Sequence, residues 1–272
     1  MRTIRALVTG NQGFIGKNLV KKLETYGLEV IGFDTELYNL LHFTPTLYNL
    51  IDRCDVVFHV GAISDTTIQD SGEMLKFNYH YSKIIIDIAA KLNKQVIYSS
   101  SAANYGSDNS LPNNIYGWSK LLTEQYGLAK HPRFVALRYF NVYGPGEEHK
   151  GKMSSVAYQA YKKGEMQLFP NKPQRDFIYI EDVLEANYRA INAESGYYDV
   201  GTAQANTFES LVEGMGIKYT YTSDDKIPSW YQHFTKADPN KWLPGWFPSY
   251  NIKKGTKSYK SYLDEKLSLI HI

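Results

Sequence analysis

The sequence predicts an α/β fold, in which a doubly wound parallel sheet is joined to a smaller C-terminal lobe. Short apolar runs typical of buried strands alternate with helical patterns over residues 1–140. A glycine-rich turn directly follows the first of these runs. After Phe140 the alternation loosens, so we expect a second domain over 141–272, with some of its strands and helices returning to the first sheet.

The individual elements follow from the same patterns in chain order. Apolar runs predict strands at Thr3–Val8, Glu29–Phe33, Asp55–Ala62, Gln95–Ser101, Arg133–Tyr139 and Tyr198–Thr202. Apolar residues at helical spacing predict helices that end near Tyr26, cover Gly72–Leu92, include Tyr116–Lys120 and cover Ser154–Lys163. Arg175–Val183 is predicted to be a strand that enters a helix, whereas the segment with Trp230, Trp242 and Trp246 lacks clear periodicity.

The glycine-rich turn is Thr9-Gly-Asn-Gln-Gly-Phe-Ile-Gly16. Its three glycines permit a tight turn, close approach of a pyrophosphate to the backbone, and close packing of helix on strand. The helix that follows adds free N–H groups and the positive end of its dipole. The turn therefore predicts a Rossmann domain that binds a nicotinamide dinucleotide over 1–140, with contacts from Gly10, Gln12, Gly13, Phe14, Ile15 and Gly16.

Asp34 ends the second predicted strand, near the distance at which an acid binds the adenosine ribose hydroxyls. The alternative for Asp34 is a turn residue or a helix cap. No lysine or arginine occurs between Thr35 and Asp52 to pair with a 2′-phosphate, which favours NAD over NADP. Further predicted coenzyme contacts are Gly61, Ala62, Ser64 and Asn78, the last of which is alternatively a solvated helical residue.

Tyr116 and Lys120 lie four residues apart, on one face of a predicted helix. A neighbouring ammonium stabilises a phenolate, so we expect Lys120 to lower the tyrosine pKa from about 10 and make Tyr116 a general base. Ser101 ends a predicted strand and would lie at the carboxyl edge of the sheet, where α/β enzymes keep their chemistry. The alternative is a chance pair on a solvated helix.

The composition excludes several classes of function. The 272 residues include 30 basic and 28 acidic side chains without a basic block, so we expect neither nucleic acid nor a membrane as partner. Cys54 is the only cysteine, which excludes an internal disulfide and a multi-cysteine metal site, and no metal site is predicted. Met1 leads almost at once into a strand and no apolar run could span a bilayer, so we expect a soluble cytoplasmic protein.

Several motifs together resemble the extended short-chain dehydrogenase/reductases that act on nucleotide sugars, and in particular their epimerases. They are the glycine turn, Ser101, Tyr116-x-x-x-Lys120, Arg138-Tyr-Phe-Asn-Val-Tyr-Gly-Pro145, His149-Lys-Gly151, Arg175-Asp-Phe177 and Tyr231–Asp238. The resemblance implies that Tyr116 is the catalytic base, that Ser101 bonds the reacting oxygen, and that Lys120 holds the nicotinamide ribose. It also implies that Lys150 is a second acid/base. The implied substrate contacts are Asn141, Lys152, Gln159, Phe169, Arg175 and Tyr231, and Val142 would touch the coenzyme.

Two departures from the family pattern affect cofactor and substrate. The segment after Asp34 is short and lacks lysines that help relatives hold NADP. The choice of cofactor is therefore open, since the family resemblance favours NADP and the local charge favours NAD. Lys152 and Gln159 stand where the family has serine and histidine near the sugar, which leaves the exact sugar open.

The implied activity is an NAD(P)-dependent inversion of a nucleotide-diphosphate sugar by transient oxidation and re-reduction of one carbon, in a homo-oligomer. A nucleotide-sugar reductase or dehydrogenase of the same family is the first alternative. A dehydratase is disfavoured because Ala102-Ala103 replaces the Asp-Glu that such enzymes place after the catalytic hydroxyl. A non-catalytic dinucleotide sensor is disfavoured because Ser101, Tyr116 and Lys120 are all retained.

Overall fold

A computed structural model describes residues 2–34, 44–68, 70–106, 110–223 and 232–270. Residues 269 and 270 are described by their backbone only. The chain divides into two compact units. The first comprises Met1–Tyr139, Leu184–Asp199 and Leu243–Trp246, and the second comprises Phe140–Val183, Val200–Trp242 and Phe247–Ile272. The assignment of coenzyme to one domain and substrate to the other stays a prediction.

The strands are β1 (Arg5–Thr9), β2 (Glu29–Phe33), β3 (Val56–His59), β4 (Gln95–Ser101), β5 (Phe134–Tyr139), β6 (Asn141–Tyr143), β7 (Glu165–Leu168), β8 (Gln174–Tyr179), β9 (Gly196–Val200), β10 (Ala205–Thr207) and β11 (Lys218–Tyr221). The α-helices are α1 (Phe14–Thr25), α2 (Thr44–Arg53), α3 (Ser71–Leu75), α4 (Tyr81–Lys91), α5 (Ile115–Lys130), α6 (Val156–Lys163), α7 (Ile180–Arg189), α8 (Phe208–Gly214) and α9 (Ile252–Ile270).

The first unit is built on a six-stranded sheet in the order β2-β1-β3-β4-β5-β9. Strands β1 to β5 pair in parallel, which confirms the predicted doubly wound fold. The central strands are apolar and buried on both faces, as parallel strands covered by helices must be. In the register, Thr9 lies beside both Phe33 and His59, so the turns that follow β1, β2 and β3 meet at one edge.

Two predicted elements in this unit differ from the structure by more than a shift of one or two residues. The third strand ends at His59 rather than Ala62, because the chain leaves the sheet where its neighbour β1 ends. The predicted helix Gly72–Leu92 is observed as α3 and α4 joined through a π-helical turn, Lys76–His80. Such turns are frequent at functional sites, and this one carries Asn78.

The second unit has a three-stranded sheet in the order β10-β8-β6, and β7 pairs in parallel with β11. Strand β8 runs parallel to β6 and antiparallel to β10. The predicted strand at Tyr198–Thr202 is instead β9, Gly196–Val200, which joins the larger sheet.

The 19-residue helix α9 was not predicted. Its buried side is formed by Thr256, Tyr259 and Leu263, whose spacing is helical. Gly255 and Thr256 interrupt the apolar residues of this stripe, so hydrophobicity alone does not reveal it. The Asn251 side chain accepts a hydrogen bond from the Lys254 backbone N–H at 2.9 Å, a start signal that the sequence does contain. Among the helices of the described residues, none is long and apolar enough to cross a membrane.

Candidate active site

The glycine turn after β1 is packed too closely for side chains. Gly10 has a φ of +69°, and a Cβ there would lie 2.5 Å from the Gly61 Cα atom. A Cβ on Gly16 would lie 2.0 Å from the Gly10 carbonyl oxygen. The Gly10 N–H donates to the Phe33 carbonyl at 2.9 Å, which ties the turn to the end of β2. These contacts give a physical reason for glycine at both positions.

The start of α1 fits a phosphate-bearing ligand. Gly13 is its N-cap, and it has no side chain that could cap the first turn of the helix. The Asn11 side-chain oxygen at the same turn is buried and has no hydrogen-bond partner among the described residues. A helix start without a side-chain cap and a cradle that only glycine backbone can form are features that suit a dinucleotide pyrophosphate.

Asp34 lies directly after β2 and is exposed. Its carboxylate accepts a hydrogen bond from the Gln12 backbone N–H at 3.1 Å. This contact holds the carboxylate beside the glycine turn, where it could bind the adenosine ribose of a dinucleotide. The position supports the predicted role of Asp34 as the ribose-binding acid.

Asn78 is buried, so the alternative of a solvated helical residue is wrong. Its side-chain oxygen accepts from the Ile63 N–H at 2.8 Å, and its amide donates to the Ile63 carbonyl at 2.9 Å and to the Ser119 hydroxyl at 3.1 Å. Asn78 therefore fixes the loop that carries the predicted coenzyme residues Gly61, Ala62 and Ser64. Ala62 and Ser64 are exposed in that loop.

Sequence reasoning missed a buried hydrogen-bonded chain behind this loop. The ring nitrogens of His59 lie 2.7 Å from the Thr9 hydroxyl and 2.7 Å from the Ser82 hydroxyl. Ser82 donates its proton to the Asn78 carbonyl at 2.5 Å, so it accepts from His59 Nε2–H, and Nδ1 accepts from Thr9. Burial lowers the pKa of His59 to about 3, so the ring is neutral. A histidine inside an apolar strand was the available signal.

Ser101, Tyr116 and Lys120 are brought together in the first unit, as predicted. Asn114 caps α5 by accepting a hydrogen bond from the Gly117 N–H at 2.7 Å. A Cβ on Gly117 would lie 2.6 Å from the Ala103 carbonyl oxygen, so α5 packs directly on the short 3₁₀ turn after Ser101. The Ser101 hydroxyl is thereby close enough to the Tyr116 phenol to lower its pKa.

Lys120 is buried under this cluster, which excludes the chance pair on a solvated helix. Its ammonium donates to the Ser99 carbonyl at 2.7 Å and lies 5.9 Å from the centre of the Tyr116 ring. Burial lowers the pKa of the Lys120 amine to about 7.

The expected pKa of Tyr116 requires correction. Burial raises the pKa of the phenol above its ordinary value, and the hydrogen bond from Ser101 only opposes that rise. Lys120 does not reverse it, because the same burial weakens the hold of Lys120 on its own proton. The isolated protein therefore keeps Tyr116 protonated at neutral pH.

In the second unit, Lys150 lies in a short 3₁₀ segment, Glu148–Met153, and is half-buried. The Glu147 carboxylate is fully buried and accepts hydrogen bonds from the Gly144 N–H at 3.2 Å, the Ser155 hydroxyl at 2.7 Å, and the Ser155 N–H. The loop is therefore anchored from beneath. Burial lowers the pKa of Lys150, and the charge of Glu147 opposes that shift.

The other predicted substrate residues of this unit, and the predicted coenzyme contact Val142, differ in exposure. Asn141 on β6 and Lys152 are exposed, and Val142 and Phe169 are half-buried. Gln159 donates from its amide to the Lys152 carbonyl at 3.1 Å and the Ser154 carbonyl at 2.8 Å, which supports the Lys150 loop. Tyr231 lies outside the described residues.

Arg175 is buried, and its guanidinium donates to the Gln232 carbonyl and, at 2.9 Å, to the Gln174 carbonyl. These bonds join β8 to the chain just before His233 and fix the direction of the guanidinium. The neighbouring Asp176 was not predicted as important. It is fully buried and accepts from Thr202, Ala203 and Ala237, so it anchors the segments around β8.

A parallel sheet with a glycine cradle after its first strand, and a Ser–Tyr–Lys cluster beside a later strand end, define a dinucleotide-dependent enzyme class. The model of the NAD dependent epimerase/dehydratase family matches residues 6–201, and the chain belongs to that family. A curated relative is the ADP-L-glycero-D-manno-heptose-6-epimerase of Brachyspira hyodysenteriae. It is 33% identical over 95% of this chain and 98% of its own length.

Two solved structures show the same architecture. The crystal structure of the Helicobacter pylori ADP-L-glycero-D-manno-heptose-6-epimerase is 30% identical, with a TM-score of 0.82 over 96% of each chain. A UDP-glucose 4-epimerase from Thermotoga maritima, solved with UDP-glucose, is 22% identical, with a TM-score of 0.85 over 97% of this chain and all of its own. The second likeness is one of fold alone.

Proposed function

We propose that the protein is an NAD-dependent nucleotide-sugar epimerase that inverts a sugar carbon of an ADP-glycero-manno-heptose by transient oxidation and re-reduction. The observation that carries this proposal is the buried Lys120 ammonium 5.9 Å from the centre of the Tyr116 ring, in the unit that holds the glycine cradle. The Ser101 hydroxyl is close enough to lower the pKa of the same tyrosine. The two heptose epimerases among the relatives support the substrate class.

The residues of the first unit fit the coenzyme. Bound NAD would supply the hydride acceptor and donor for the sugar carbon. The backbone around Gly10, Gly13 and Gly16 would hold its pyrophosphate, Asp34 its adenosine ribose, and Lys120 its nicotinamide ribose. NAD is favoured over NADP because the carboxylate of Asp34, held by the Gln12 N–H, would repel a 2′-phosphate.

The protein's own proton chemistry requires two groups. Tyr116 would take the proton of the sugar hydroxyl on one face, with Ser101 hydrogen-bonded to the same oxygen. Inversion presents the other face of the transient carbonyl, and Lys150 would serve the proton position there. A lysine with a lowered pKa in an anchored loop suits that role.

The test is incubation of the purified, NAD-loaded protein with a panel of nucleotide sugars, with the products identified by NMR. Tyr116→Phe should reduce turnover about 100- to 10,000-fold and leave the NAD dissociation constant unchanged. Near-normal turnover in that variant would remove Tyr116 from its role. Net consumption of added NADH or NADPH would show a reductase instead.

Cytoplasmic location and homo-oligomeric assembly stay predictions. Fractionation of the source cells and measurement of the mass in solution would decide them.

A further inference from the structure

We propose that Glu124 is a positioning residue, which uses Ser100, Asn104 and Arg138 to fix the end of β4 against α5. In this arrangement Glu124 sets the distance between Ser101 and Tyr116. The proposal rests on the proposed function of those two residues.

Glu124 is fully buried, and its carboxylate is saturated with donors. One oxygen accepts from the Ser100 hydroxyl at 2.7 Å, the Asn104 amide at 3.0 Å and the Arg138 Nε atom at 3.0 Å. The other oxygen accepts from a terminal nitrogen of Arg138. Every donor comes from outside α5, so the carboxylate has little freedom to move with the helix alone.

Arg138 is itself fixed on its other sides. Its guanidinium lies 4.7 Å from the centre of the Tyr105 ring and 3.8 Å from that of Tyr197. The Tyr105 hydroxyl donates to the Asp199 carboxylate at 2.6 Å. The ion pair is thus held by β5, β9 and the 3₁₀ turn after Ser101, all within the first unit.

The position of these contacts gives them a specific consequence. Ser100 directly precedes Ser101 on β4, and Glu124 lies one helical turn beyond Lys120 and two beyond Tyr116 on α5. Asn104 bonds both Ser100 and Glu124, so strand end, turn and helix are joined at one carboxylate. A change of spacing between β4 and α5 would therefore change the contact between Ser101 and Tyr116.

The second link between β4 and α5 is made by Lys120, whose ammonium bonds the Ser99 carbonyl at 2.7 Å. In the proposed function Lys120 also binds the coenzyme, so its ammonium must adjust to the ligand. The Glu124 link lets Lys120 adjust without moving Ser101. Buried ion pairs contribute little net stability compared with apolar packing. We therefore assign to the Glu124–Arg138 pair a role in fixing geometry rather than in stabilising the fold.

Ser100→Ala tests the proposal, since it removes one donor to Glu124 and leaves the ion pair with Arg138 in place. Glu124→Gln is avoided because it would leave the Arg138 charge buried without its partner and endanger folding. The matched control is Ser195→Ala, which removes a hydroxyl bonded to the Phe134 carbonyl at 2.9 Å, at the other end of β5. Ser100→Ala should reduce kcat per NAD-loaded site about 10- to 100-fold, since small misplacements of catalytic groups have effects of this size. KM and the NAD dissociation constant should stay within about twofold, and Ser195→Ala should match the wild type.

A second measurement does not depend on the sugar. In protein labelled with [¹³Cζ]tyrosine, the Tyr116 signal is assigned by its loss in Tyr116→Phe, and its titration is followed by NMR. Since the Ser101 hydrogen bond lowers the pKa of Tyr116, Ser100→Ala should raise that pKa and Ser195→Ala should not.

The two measurements separate the two proposals. If the wild type inverts no nucleotide sugar, the proposed function fails, and the Tyr116 titration still decides whether Ser100 and Glu124 position Ser101. If Ser100→Ala matches Ser195→Ala in the Tyr116 titration, and in kcat where turnover is seen, the positioning role is overturned.

Discussion

The buried His59 should make the fold sensitive to mild acid, and His59→Gln should remove part of that sensitivity. The folded protein holds the pKa of His59 at about 3, whereas an unfolded histidine titrates near 6.5. Below pH 6.5 the unfolded chain therefore binds a proton that the folded chain refuses. Stability falls as pH decreases from 6.5, and the loss ends near pH 3.

The size of the effect follows from the interval. Between pH 6.5 and pH 5 the difference covers about 1.5 pH units at about 1.36 kcal/mol each, so His59 should remove about 2 kcal/mol of unfolding free energy by pH 5. The ring lies between the Thr9 and Ser82 hydroxyls. A protonated Nδ1 could no longer accept from the Thr9 hydroxyl, which itself accepts from the Gly61 N–H.

The assay is urea unfolding at pH 7 and pH 5 for the wild type and His59→Gln. The wild type should lose about 2 kcal/mol more than the variant between the two pH values. His131, whose pKa is also lowered by burial, is present in both proteins and cancels in the comparison. Equal losses in the two proteins would refute the reasoning.

Two further predictions concern the coenzyme cradle and the second acid/base. Gly16→Ala places a Cβ 2.0 Å from the Gly10 carbonyl oxygen and should weaken NAD binding, as measured by calorimetry. The far-UV circular dichroism spectrum should stay native. An unchanged affinity for NAD would show that the turn adapts to the added methyl group. The loss of affinity should reach about 100-fold, or about 2.7 kcal/mol. Lys150→Met should fold and bind NAD normally but lose inversion about 100- to 10,000-fold, while Tyr116 still supports proton exchange on its own face. Both epimers are followed by NMR, and inversion near the wild-type rate would make Lys150 a surface charge.

Local patterns were sufficient to predict the sheet and the Ser–Tyr–Lys cluster. Tyr116 and Lys120 are four residues apart on one helix, and Ser101 ends a strand that the parallel sheet carries to the same edge. The glycine turn was equally local, because its strand, turn and helix are consecutive in the chain.

Features that depend on distant partners were not predicted. Ser100 and Glu124 are 24 residues apart in the chain, and His59 and Thr9 are 50 residues apart. No spacing in the sequence therefore predicts either contact. The burial of a side chain also depends on residues that are distant in the chain. The sequence shows that Lys120 is near Tyr116, but only the packed structure shows that the lysine is buried deeply enough to lose much of its own basicity.

That burial decides where the catalytic pKa of Tyr116 is set. Because burial lowers the pKa of the Lys120 amine to about 7, the lysine holds its charge weakly and gives the phenol little charge stabilisation. The Ser101 hydrogen bond lowers the pKa of Tyr116, yet burial outweighs it. If Tyr116 is the base, the missing stabilisation must come with the ligand, through the positive charge of oxidised nicotinamide. The labelled Tyr116 signal should therefore titrate above its ordinary value of about 10 in the NAD-free protein, and well below it in the loaded protein. Equal titration in the two forms would mean that Ser101 and Lys120 alone set the pKa.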